Sequence, residues 1–110
     1  MSGFDFADAG LYSSDELFPR DIRVGDVEGK VYVKKLPAVE LRRFQMETEN
    51  HDPKVRETAG FRALSLAIRK EDGSAHMTIE QAKKLKGEAV AELMRVFVDV
   101  NRKPDDLGND

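Results

Sequence analysis

Residues 21–34 read Asp21-Ile22-Arg23-Val24-Gly25-Asp26-Val27-Glu28-Gly29-Lys30-Val31-Tyr32-Val33-Lys34. Ile22 and Val24 alternate with Arg23, the two-residue period of a half-buried strand. Val31-Tyr32-Val33, flanked by Lys30 and Lys34, makes a second strand. Between them Glu28-Gly29 supplies a residue tolerant of positive φ, where a tight hairpin needs one; Gly25-Asp26 offers the turn or a bulge instead. A two-stranded hairpin is marginal by itself, so it must pack on helices or pair with another chain. Its edges are open to a partner strand.

The helices follow. Pro37 suits a first helical position, with Ala38, Val39, Leu41, Phe44 and Met46 on the inner side and Glu40, Arg43 and Glu47 on the outer. Asn50-His51-Asp52 breaks this helix, and Asp52-Pro53 restarts one as N-cap and N1. The second helix is expected to run to about Lys70 with two apolar faces, Val55, Ala59, Ala63 and Leu66 on one and Phe61, Leu64 and Ile68 on the other. Such a helix belongs in the middle of a domain, and Gly60 would let a neighbour approach closely. Asp72-Gly73 signals a turn, and Thr78-Ile79-Glu80-Gln81 is a capping box opening a short helix that buries Ile79, Ala82 and Leu85 before a break at Gly87.

The last helix spans about Glu88 to Asn101. At 100° per residue Glu92, Arg95, Asp99 and Arg102 fall within roughly 40° of Glu88. All other positions from Ala89 to Val100 are apolar and cover about 220° of the circumference, where one core stripe needs only about 100–140°. Val90, Leu93 and Phe97 suffice for that stripe. Two flanks remain, Val96 with Val100 and Met94 with Val98. Either the helix is buried on three sides, or one flank meets another chain, which makes Met94, Val96, Val98 and Val100 the candidate partner-binding residues. Aspartate at 96 or 100 separates these readings: it spares the fold on a partner surface and unfolds the protein in a core.

The architecture predicted is α+β, an N-terminal β-hairpin packed on a bundle of about four α-helices. One domain is expected over residues 20–102, between an acidic arm (1–19) and a C-terminal tail (103–110), both read as mobile. Residues 1–19 hold four carboxylates and no basic side chain, whereas residues 20–100 are nearly balanced. Phe4, Phe6, Leu11, Tyr12, Leu17 and Phe18 are many large apolar groups for a tail, and some are expected to dock on the domain or a partner. Leu, Ile, Val and Phe make up about a quarter of the 110 residues, enough for a modest core. With no membrane-length apolar run and no signal-peptide pattern, a soluble intracellular protein is expected.

Motifs for chemistry are missing. The chain has no cysteine and two histidines, His51 and His76, without metal-site spacing, so neither thiol chemistry nor zinc is expected. Aligning Gly73 with the sixth position of a calcium loop puts Ile68, Lys70 and Ile79 where carboxylates are required. There is no phosphate loop or nucleophile elbow, and the cluster Glu47, Glu49 and Asp52 reads as a solvated face. No cofactor and no enzymatic activity are expected. Arg42-Arg43 and Lys83-Lys84-Lys86 are short basic patches, but a pI of 5.4, acidic ends and no interleaved aromatics argue against nucleic acid.

The order of elements, together with Gly29-Lys30-Val31-Tyr32-Val33-Lys34-Lys35-Leu36, Glu71-Asp72-Gly73, Met77-Thr78-Ile79-Glu80 and residues 93–101, resembles the tail assembly chaperones of long-tailed, non-contractile bacteriophages. The resemblance covers roughly residues 20–101. It implies a non-enzymatic role in virion morphogenesis in the host cytoplasm: binding the tape measure protein, keeping its helical stretches soluble and recruiting tail-tube subunits. It also implies departure before the virion is complete and, in many relatives, a longer form made by frameshifting near the C-terminus. Self-association through hairpin edges fits the same picture, and no membrane partner is implied. The competing readings are a head–tail joining or tail-completion subunit that stays in the particle and, behind it, a small DNA-binding regulator.

Overall fold

The computed structural model describes residues 3–12 and 14–102. Two antiparallel strands, β1 (Leu17–Val24) and β2 (Val27–Lys34), lead into helices α1 (Ala38–Thr48) and α2 (Pro53–Ala67). A two-residue strand β3 (Ile68–Arg69), the short α3 (Ile79–Lys83) and the terminal α4 (Gly87–Asn101) complete the chain. The fold is α+β, with the hairpin packed on the helices. The expectation for residues 103–110 lies outside the described residues.

The hairpin turns at Gly25-Asp26, not at Glu28-Gly29, which pair inside β2 with Arg23 and Ile22. Gly25 has φ +61 while Asp26 does not take a positive φ, the pattern of a two-residue type II′ turn, which favours glycine first. β1 starts at Leu17, so three residues assigned to the arm, Leu17, Phe18 and Pro19, are sheet. Proline is tolerated because β1 is the edge strand and residue 19 directs its backbone nitrogen outward, where no ladder bond is lost.

The second helix ends at Ala67, short of Lys70. From there the chain becomes β3, pairing Ile68 with Val33 and Arg69 with Tyr32, and turns back through Gly73 (φ +89) to bridge Arg69 with Ala75. Two residues are too few for a sequence period to register. β3 exists because β2 presents an edge to it.

Val31, Val33, Leu36, Ala63, Leu64, Ala67, Ile68, Leu93, Val96, Phe97 and Val100 form one core. Its floor is one face of the sheet, to which Phe18 and Ile22 of β1 also contribute. α2 is central as expected, packed against α1, α3, α4 and the sheet. Both predicted N-caps are present: the Asp52 carboxylate accepts from the Lys54 amide at 3.0 Å, and Thr78 and Gln81 exchange side-chain bonds with each other's amides at 3.1 and 2.9 Å. Gly87 is the first residue of α4.

Gly60 does not serve a close approach, since a Cβ built there meets nothing within 4 Å. It stands in the helix interior at an ordinary negative φ. Gly60→Ala is therefore expected to stabilise the protein by about 0.5–1 kcal/mol, read as a higher urea midpoint with unchanged slope. A lower midpoint would mean that a neighbour does need the space.

Candidate functional site

The four residues expected to meet a partner are divided by the fold. Val96 is 0% exposed and Val100 is buried beside it, so both are core, contrary to their assignment as partner-binding residues. The hairpin causes this. It lies along the polar stripe of α4 and covers the adjacent flank, so the buried set Leu93, Val96, Phe97 and Val100 occupies an arc from about 80° to 180° past Glu88. The helix is rotated away from the Val90–Leu93–Phe97 centre. Met94, on the other flank, is half-buried against the core, and Val98 is 51% exposed.

The polar stripe fastens α4 to β1. Arg20 Nε donates to the Asp99 carboxylate at 2.7 Å, the Glu92 carboxylate accepts from the Arg23 amide at 2.8 Å, and Arg95 donates to the Asp21 carbonyl at 3.2 Å. The backbone groups of Asp21 and Arg23 point away from β2, so helix side chains satisfy part of the free edge of β1. With Pro19 on the same edge, the open strand edge expected here is largely blocked. Asn101 closes the far end, its amide oxygen accepting from the Leu36 amide at 2.8 Å and its nitrogen donating to the Lys34 carbonyl at 3.2 Å.

Glu92 is held well below the ordinary 4.5, to about 2, by the Arg95 guanidinium and then the Arg23 amide. Asp99 is lowered by Arg20. A depressed carboxylate contributes stability that is present above its unfolded value and lost as pH falls through its folded value. The α4–β1 seam is thus expected to weaken between about pH 4.5 and 2. Glu92→Gln should flatten the acid limb of a melting-temperature profile over that window; an unchanged limb would mean that the pair contributes nothing.

On the opposite side of α4, Phe97, Val98, Asn101 and Arg102 face Leu41, Arg42, Phe44 and Gln45 of α1 across an open groove of about 680 Å³. Its floor is aromatic: the Phe44 and Phe97 rings meet edge to face at 5.5 Å. The two charged groups in its walls, Arg42 and Arg102, are both cationic. Outside the groove, α1 exposes Val39 (71%) and Met46 (62%), two residues expected on its inner side. A helical wheel explains the difference. Met46 falls about 20° from Val39, whereas Leu41 and Phe44 fall about 140–160° away, so no single neighbour can cover both pairs. Val39 and Met46 line a second shallow groove with Arg43, Asn50 and Val55. The first missed signal, then, was two opposed apolar stripes on one helix.

The remaining candidates have structural partners or stay on the surface. Glu47, expected on the outer face, links α1 to α2 through Arg62 and also pairs with Arg43 at 3.7 Å. Asp52 caps α2, Lys83 pairs with Glu80 at 3.5 Å, and His51 and His76 are exposed. Among the described residues no helix is long and apolar enough to cross a membrane. Compared with known proteins, the chain matches no family model, no curated protein and no solved structure.

Proposed function

We propose that the protein is a non-enzymatic tail assembly chaperone, as its resemblance implies, and that it holds helical segments of a tape measure protein in the groove between α1 and α4. The observation that supports this reading most is the groove itself: an aromatic floor, an exposed valine on one wall and a polar, cationic rim. That is the constitution of a helix-in-groove site, where an amphipathic segment lays its apolar face between two helices and leaves its charges on the rim. Tail-tube subunits would be recruited to the assembled client.

The test is co-expression with the long tape-measure-like protein of the same gene cluster, followed by co-purification. A soluble complex is expected to survive moderate salt. Val98→Asp should weaken it roughly ten-fold or more, while costing under about 1 kcal/mol of stability because the site is exposed, even though a carboxylate near a helix C-terminus opposes the helix dipole. Recovery of the protein from purified particles, without a soluble client complex, would favour a permanent joining or completion subunit instead.

A further inference from the structure

We infer that the same groove receives the N-terminal arm of a second copy of this chain. The arm is locally built. Asp5 accepts the Asp8 amide on its carboxylate at 3.0 Å, backbone bonds run from Ala9 to Asp5 and from Leu11 to Phe6, and Gly10 at φ +69 ends the turn. Phe4 and Phe6 stack edge to face at 5.0 Å, yet Phe4 is 69% exposed, with Phe6, Leu11 and Tyr12 also exposed. Among the described residues no hydrogen bond or ion pair ties residues 3–12 to the domain. Four large apolar groups on a preformed turn, facing water, have the form of a ligand. Ordering costs on docking are reduced because the turn exists already.

Charge and position identify the receiver. The arm carries only carboxylates, and the charged walls of the groove are Arg42 and Arg102, neither paired with a carboxylate among the described residues. The arm is rooted at Leu17, opposite Lys34, whose carbonyl accepts from the groove residue Asn101. Its root thus stands one residue, Lys34, away from a residue that lines the groove, although Leu17 itself sits in a separate hollow with Arg69 and Asp72. Within one chain the arm's large side chains face solvent instead of lining that groove. Residues 13–16 extend about 14 Å at most, enough to pass the arm to a neighbour whose own root is close by. Exchange of this kind is reciprocal and closes at two copies. Burying eight such side chains removes on the order of 1,000 Å² from the arms alone, which with the groove walls reaches the size of a stable interface.

Sedimentation of the full chain over a concentration series tests this. A reversible dimer is expected, weakened by salt. Phe4→Ser with Phe6→Ser should weaken it roughly ten-fold or more and lies outside the folded domain; Val98→Asp should do the same from the groove side. Mixing the two variants should recover association in part, because the mixed dimer keeps one intact arm in one intact groove, whereas each variant alone keeps no intact contact. A monomer at every concentration, a dimer indifferent to the arm changes, or failure of the mixture to associate would each overturn the inference. None of these readouts involves a client, so the arm exchange stands or falls separately from the chaperone reading.

Discussion

Val96→Asp is expected to abolish folding. The side chain is fully buried among Leu93, Phe97, Val100 and the sheet, and among the described residues no buried polar or charged side chain is available to receive a carboxylate. An unpaired buried carboxylate must either stay charged at a cost of several kcal/mol or bind a proton far from its ordinary pKa. Domains of this size have only about 5–15 kcal/mol in total, and the substitution also removes a packed valine. Far-UV circular dichroism should show loss of helix at neutral pH, with Val98→Asp, two positions away, retaining a cooperative melt. A native-like melt for Val96→Asp would mean that this flank of α4 is surface and available to a partner.

Phe97→Ala should cost about 3–5 kcal/mol, the range for removing a buried aromatic ring. Phe97 is 2% exposed and contacts the Phe44 ring edge to face, so the change leaves a cavity and strips α1 of its main aromatic contact with α4. In a domain of about 100 residues that corresponds to a fall in Tm of roughly 15–30 °C. The same ring floors the groove, so any surviving folded fraction should also lose partner affinity. A loss below about 1 kcal/mol would show that the α1–α4 contact is loose enough to collapse over the missing ring.

What could be read from the sequence was what is local. The Asp52-Pro53 start, the Thr78–Gln81 capping box and the short strand periods each depend on residues within a few positions, and each is present. What failed depended on partners far along the chain. β3 is held by Val33 and Tyr32, more than thirty residues earlier, and leaves no period of its own. The turn was ambiguous because two glycine-containing dipeptides, three residues apart, both allow reversal; the pairing of Leu17 through Val24 with Lys34 through Val27 decides it. For α4 the wheel shows a wide apolar arc but not its rotation, because nothing local announces that β1 will attract the charged stripe. The groove was missed for the same reason on α1. Its two apolar stripes were legible as numbers, and only the position of α2 and α4 selects Leu41 and Phe44 for burial and leaves Val39 and Met46 outside.

The bonds that cover the β1 edge join residues 69 to 79 positions apart, and this has a consequence in time. During synthesis at about 5–20 residues per second, the hairpin leaves the ribosome roughly 4–15 s before Glu92, Arg95 and Asp99 follow it. Throughout that interval the outward backbone groups of Asp21 and Arg23 are bare, and only Pro19 keeps another extended chain from zipping onto the strand. The strand edge is thus open to other chains from the emergence of the hairpin until α4 arrives to close it.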